Sequence, residues 1–250
     1  MDFNCLSLYQ IVKNTNNLNG FRIILPTMNI LLVSATMREI EPLIEHFRLK
    51  SVQMNMFSGK INGHRMDCLI TGVGLVATTY SLTIALVKKK YQLLLNVGIA
   101  GSFHTSYPTG AVVEVINEHL ADFGVDDNGV FRHVFDEKFI ERDDFPFRDG
   151  ILANPVKHHF TRSFPDVTGV TVNTTSGSPE RIQLIKEKFK PDIETMEGAA
   201  VFYVALHQHL PFAEIRSISN MVEPRNRKNW EIPRAIDKLN SALYGIIEEI

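Results

Sequence analysis

Two cysteines in 250 residues, Cys5 and Cys68, are too few for a disulfide framework or a zinc cage. Their scarcity suits a reducing compartment, and a cytoplasmic protein is expected. No apolar run reaches the roughly 18 residues that a bilayer-crossing helix needs. Neither sign of charge dominates. The 26 Lys and Arg stand against 28 Asp and Glu, a net of −2, so the electrostatic footprint of a nucleic-acid binder is missing. The paired histidines, His158-His159 and His207-Gln208-His209, lack the i,i+4 spacing of metal ligands on a helix, and no metal is expected. Ser176-Gly177 lacks the flanking glycine of a nucleophile elbow.

What is present is an alternation of strand-like and helix-like runs. NILLVS (29–34) is unbroken apolar sequence, the pattern of a strand buried on both faces. Helical spacing of Ile40, Leu43, Ile44 and Phe47 follows over 37–49. Two strand-like runs flank Asn62-Gly63, a hairpin signal. A helix over 75–90 ends in three lysines, and QLLLNVG (92–98) is a second buried strand that breaks into a small-residue loop at GIAGSF. Strands are expected over 110–119 and 169–174, with a loop-rich aromatic stretch from Ala121 to Asn154 between them. Ser178 and Pro179 open a helix to 189, and 193–210 reads as a central helix, apolar nearly all round. A strand at 215–220 and an amphipathic helix over 232–250 close the chain. The pattern predicts α/β structure: a single three-layer domain, its mostly parallel mixed sheet flanked by helices. Residues 28–250 form that domain. Residues 1–27 read as an upstream extension or a short arm packed on it.

In such folds ligands gather at the C-terminal ends of the strands. TGVG (71–74) lies there, without the third glycine of a dinucleotide fingerprint or a Walker lysine; it reads as a phosphate cradle or a tight turn. Gly98, Ala100 and Gly101 let backbone approach a flat ligand, or merely pack a strand exit. Glu39 is either a proton acceptor for water or a carboxylate that complements a helix dipole. Glu197, set among small and apolar residues, is expensive unless paired, and could accept from two neighbouring hydroxyls. Asn220 places a neutral amide at the end of a strand, before a loop carrying Glu223, Arg225 and Arg227. Trp230 reads as core.

Together these segments resemble the nucleoside phosphorylase and methylthioadenosine/S-adenosylhomocysteine nucleosidase superfamily, over about residues 28–250. VSATMREIEPL looks like the family's opening pattern, which implies Glu39 as catalytic base. GIAG looks like its glycine loop, with Ala100 and Gly101 against the substrate. ETMEGAA looks like its Glu-Met-Glu segment, which implies Met196 against the nucleoside and Glu197 on the ribose. Ser219-Asn220 looks like its Ser-Asp pair, with the acid replaced by an amide. An aspartate there suits adenine; an amide NH2 donates to O6 and N7 of a 6-oxopurine. The arginine and serine with which the family's phosphorylases hold phosphate are Asn96 and Ile99 here, which favours water over phosphate. SISNMVEPRNRKNWEIPRAI, with EHLADFG and VTVNT, resembles the futalosine hydrolases of menaquinone biosynthesis. That resemblance implies hydrolysis of futalosine to hypoxanthine and dehypoxanthine futalosine, substrate contact by Asn173, and no metal or organic cofactor. It also implies a homodimer in which the aromatic stretch 121–147 lines the partner's pocket. Arg225 or Arg227 would meet the substrate's benzoate, or else pair with Glu223 in a solvated loop. A purine nucleoside phosphorylase, a general 6-oxopurine nucleosidase and a catalytically inactive nucleoside-binding module are the alternatives.

Overall fold

An apolar run without polar alternation needs cover on both faces, and residues 29–34 have it. In the computed structural model, which describes residues 27–250, β1 (Asn29–Ser34) turns Ile30 and Leu32 toward one layer and Leu31 and Val33 toward the other. The expectation for the first 27 residues therefore lies outside the described residues, Thr27 apart. The first layer is made by α1 (Met37–His46) and, at the far end of the chain, α5 (Ile232–Glu249). The antiparallel strands β2 (Lys50–Gln53), β3 (Met56–Ile61) and β4 (His64–Ile70) follow α1. Asn62 and Gly63 turn the β3–β4 hairpin, both with positive φ, 50° and 87°, as a two-residue hairpin loop requires.

The second layer starts with α2 (Leu75–Lys88). Next come β5 (Leu93–Ser102), β6 (Val112–Leu120), the β7 (Gly124–Asp127) and β8 (Val130–His133) hairpin, and β9 (Leu152–Ala153). Then β10 (Asp166–Thr171), α3 (Pro179–Phe189), β11 (Ile193–Thr195), α4 (Gly198–His207) and β12 (Phe212–Met221) lead into α5. α4 packs on α2, and α3 lays Ile185 against Val170 and Val172. Ser178 caps α3 by accepting the N–H of Arg181 at 3.3 Å.

Among the described residues the sheet has 10 strands in the order β11-β10-β6-β12-β5-β1-β4-β3-β2, with β9 on β6. The pairs β1–β4, β1–β5, β5–β12, β6–β10 and β10–β11 are parallel. β11 also pairs antiparallel with β5, so β5, β12, β6, β10 and β11 close on themselves.

That closure corrects two expectations. GIAGS is not a loop: β5 continues to Ser102 because Gly101 and Ser102 are paired with β12 on one edge and β11 on the other. Residues 193–210 are not one helix either. Ile193–Thr195 is strand, and α4 starts only at Gly198, with Glu197 at its N-cap. Apolar cover all round told of burial, not of helix, for that short segment. The stretch from Ala121 to Asn154 holds a hairpin, turned by Asn128-Gly129, and the strand expected at 169–174 lies at 166–171. No helix among the described residues is long and apolar enough to cross a membrane.

Phe202 of α4 is fully buried and meets the Phe212 ring edge-on at 4.7 Å. Phe202→Ala is expected to cost about 3–5 kcal/mol of stability, read as an earlier midpoint in denaturant titration.

Candidate functional site

Where the parallel strands end, a cavity of about 360 Å³ opens between the β1–α1 turn, the end of β5, the residues before α4 and the end of β12. Ala35, Thr36 and Glu39 come from the first of these, Ala100 and Gly101 from the second. Met196 and Glu197 come from the third, and Ser219, Asn220, Arg225 and Trp230 from the fourth.

Glu39 is the third helical residue of α1 and is buried. Its Oε2 accepts from the Thr36 N–H at 2.9 Å, the Thr36 hydroxyl at 2.8 Å and the Ser34 hydroxyl at 3.1 Å. This completes half of a capping box, so the helix-start role read from sequence is present. The side chain also reaches β5, where Oε1 accepts the Ile99 N–H at 3.0 Å. With Oε2 taken by three donors, Oε1 is the oxygen left with capacity for a further proton.

Glu197 stands two residues past β11, at the N-cap of α4, and its side chain reaches the start of α2. Oε1 accepts the N–H of Gly74 at 2.8 Å. TGVG is therefore a turn whose last amide is already spent on a carboxylate. Oε2 has no hydrogen-bond partner among the described residues, and it belongs to a residue lining the cavity. Burial pushes the Glu197 carboxyl above its ordinary range, with Glu39 and Glu214 adding to it; Arg216 and the Gly74 N–H pull the other way.

Arg216 is the functional residue that sequence reasoning passed over. It is 1% exposed, on β12, and donates through Nε to Glu214 at 2.8 Å. Asn96 of β5 donates to the other oxygen of Glu214 at 2.7 Å. Burial works against the guanidinium charge, but Glu214, Glu197 and Glu39 outweigh it and keep Arg216 charged. A Cβ on Gly98 would lie 2.2 Å from Arg216 Nη1 and 2.8 Å from Glu39 Oε1. The small residue read as a ligand approach thus makes room for a guanidinium beside a carboxylate. The alternation Glu214, Arg216, Ile218 in a buried strand was the available signal, since two charges on one buried face have to answer each other.

Asn220 owes its direction to a β-bulge. Ile218 pairs with Ala100 and Asn220 with Gly101, which leaves Ser219 as an extra residue. The Ser219 hydroxyl has two acceptors for its one hydrogen, Asn220 Oδ1 at 2.8 Å and the Ala100 carbonyl at 3.1 Å, and the shorter contact is to Oδ1. With the oxygen engaged, Nδ2 is the donor side; it gives one hydrogen to the Met221 carbonyl at 2.9 Å and keeps the other. A Cβ on Gly101 would come within 3.3 Å of that nitrogen.

Two candidates lie off the cavity. Asn173 is exposed, and Asp122 holds both its N–H (2.8 Å) and its amide (3.0 Å). Arg227 is likewise not a lining residue. Both Arg225 and Arg227 stand over Trp230, at 5.5 and 5.9 Å from the ring. Trp230 is half-buried at the cavity wall rather than core. Glu223 accepts from Asn229, and no Glu223–arginine pair occurs among the described residues. Glu194 also lines the cavity, holding the Ser176 N–H and hydroxyl; reading its segment as helix hid it.

The profile of the phosphorylase superfamily matches residues 29–250. A futalosine hydrolase of Streptomyces coelicolor is 29% identical over 189 residues, 71% of this chain and 76% of that protein. A 5'-methylthioadenosine/S-adenosylhomocysteine nucleosidase of Bacillus thuringiensis is 28% identical over 198 residues, 77% of this chain and 84% of that protein. The structure of a mutant futalosine hydrolase of Helicobacter pylori superposes with a TM-score of 0.76, over 90% of this chain and 100% of that one, at 17% identity.

A carboxyl raised by burial binds its proton more tightly folded than unfolded. It therefore costs stability as pH rises above the ordinary value of 4.5, and costs little below it. Glu197→Gln is expected to melt at a higher temperature than the parent at alkaline pH and at nearly the same temperature in acid. A lower alkaline melting point would contradict the assignment.

Proposed function

The chain belongs to the phosphorylase superfamily and is a nucleosidase, an N-glycosyl hydrolase, and we propose that its substrate is futalosine, split to hypoxanthine and dehypoxanthine futalosine. The observation that carries the substrate assignment is the amide at the end of β12. Ser219 occupies Oδ1, so Asn220 offers N–H toward the cavity, where a 6-oxopurine presents the acceptors O6 and N7. Adenine shares the N7 acceptor but carries the N6 donor in place of O6, and an amide turned this way meets that donor with another donor.

The reaction follows from the two carboxylates. The C1′–N9 bond lengthens first, its electrons passing to the purine while positive charge gathers on the ribose. Asn220 Nδ2 stabilises the charge that reaches N7 and O6. An amide has no proton to give up, so hypoxanthine takes its proton from solvent. Glu197 Oε2 accepts from the ribose 2′ and 3′ hydroxyls. Water adds to C1′ and its proton passes to Glu39 Oε1. Fixed charges and dipoles in a water-poor cavity supply most of the rate. Water rather than phosphate is supported by Asn96, which is turned to Glu214, and by Ile99, which has no hydroxyl. Arg225 meets the carboxylate of the substrate's aromatic tail, a reading supported by its position at the cavity wall over Trp230.

The active species is a homodimer. Val76, Tyr80, Ile84 and Val87 stand exposed along α2, 38% or more each, and Val73 just before it lines the cavity. Such a stripe suits a second copy of the chain, with residues 121–147 reaching the partner's pocket. Light scattering is expected to give twice the chain mass; a monomer at working concentration would remove this part.

Purified protein mixed separately with futalosine, inosine and methylthioadenosine is expected to release hypoxanthine from futalosine fastest, at a rate indifferent to phosphate. Hypoxanthine from inosine but not from futalosine would overturn the assignment. Glu39→Gln is expected to bind substrate and lose about 10³-fold in kcat. Asn220→Asp is expected to lose about 10²-fold on futalosine and to gain on methylthioadenosine; unchanged preference would detach Asn220 from base choice.

A further inference from the structure

Glu118 of β6 has no part in the reaction above, yet it is fully buried under the site. Its Oε2 accepts the Thr171 hydroxyl at 2.9 Å. Thr171 Oγ1 in turn accepts the N–H of Ala199 at 2.8 Å, in the first turn of the helix that Glu197 caps. Glu118 Oε1 has no hydrogen-bond partner among the described residues. A Cβ on Gly169 would lie 2.3 Å from that oxygen and a Cβ on Gly198 would lie 2.2 Å from it. The same point on Gly198 is 2.9 Å from Glu214 Oε1. Two carboxyl oxygens therefore converge on one space that glycine keeps clear.

The surrounding charge makes that convergence informative. Glu39, Glu118, Glu197 and Glu214 act on one guanidinium, that of Arg216. Thr171 and Thr195, from β10 and β11, add only hydroxyls on the Glu118 side. Four ionised carboxylates against one cation, Glu118 and Glu214 inside the closed barrel and Glu39 and Glu197 at the cavity beside it, would leave a large uncompensated charge in low dielectric. A proton between Glu118 and Glu214 removes one of those charges and turns a repulsion into a hydrogen bond.

We propose that Glu118 is a neutral carboxylic acid whose Oε1 proton is directed to Glu214, and that it is a positioning residue for both halves of the site. On one side it steadies Glu214 beneath Arg216. On the other, through Thr171, it steadies the start of α4 beneath Glu197. Burial first, then the charge of Glu214, drives the Glu118 carboxyl well above the ordinary carboxylate range; Thr171, Arg216 and Thr195 oppose this and do not reverse it. The positioning role rests on the assignment of Glu39 and Glu197; the protonation state does not.

The test compares the full-length parent, Glu118→Gln and Glu118→Leu. The infrared difference between parent and E118Q in heavy water at mildly alkaline pH is expected to contain the carbonyl band of a protonated carboxyl. An amide donates as the acid does, so E118Q is expected to keep kcat within about threefold, with an unchanged pH profile. Leucine leaves Thr171 and Glu214 without their partner, and E118L is expected to lose about 10²-fold in kcat with a smaller change in KM. Absence of the band, a loss in E118Q as deep as in E118L, or an E118L rate equal to the parent's would each overturn the proposal. Should E118L not fold, the band and the E118Q rate decide between the same results. A parent with no nucleosidase activity would defeat the reading of the site and leave the infrared result standing by itself.

Discussion

One buried guanidinium lets this site exist. Glu39 and Glu197 are carried by different layers of the fold, and both lose most of their water on one cavity. Without a cation between them the arrangement would be costly, since each ionised carboxylate in low dielectric needs a partner. Arg216 answers that need from below, and Glu214 holds it in place. The consequences reach the backbone. Gly98 is small because the guanidinium and Glu39 occupy the space of its side chain, and Gly169 and Gly198 are small because Glu118 occupies theirs.

The sheet closure is the second half of the same constraint. Parallel strands alone would bring β1, β5 and β12 to one rim. Pairing β11 back onto β5 adds the segment that ends in Met196 and Glu197 to the same rim, opposite Glu39. It also encloses a polar interior built from Asn96, Glu118, Thr171, Glu214 and Arg216, each at most 2% exposed. A barrel core made of charges is stable only when nearly every polar atom is answered. Two of the buried atoms without a partner among the described residues, Glu118 Oε1 and Arg216 Nη2, lie in this interior.

Much of the architecture was legible in the chain because burial leaves a periodic mark. The two-sided strand at 29–34, the Asn62-Gly63 hairpin, the Ser178-Pro179 helix start and the amphipathic closing helix all follow from local pattern. The pocket residues Glu39, Glu197 and Asn220 were visible as polar groups at strand ends. The closure was not legible, because β11 has three residues and its edge-to-edge pairing with β5 is a long-range choice that no local period records. Arg216 was missed for a related reason. Its role depends on which strands face inward around a barrel, and that depends on the closure. Asn173 lies off the cavity for the same kind of reason: its amide goes to Asp122, a partner 51 residues away that no local pattern announces.

The most direct measurement is a crystal structure of the protein with unreacted futalosine, trapped by replacing the Glu39 carboxylate with its amide. The ribose hydroxyls are expected on Glu197 Oε2, the hypoxanthine O6–N7 edge on Asn220 Nδ2, and a water on the Glu39 side of C1′ with Arg216 still seated on Glu214. A ribose turned away from Glu197, or a base edge facing Asn220 Oδ1, would contradict these assignments.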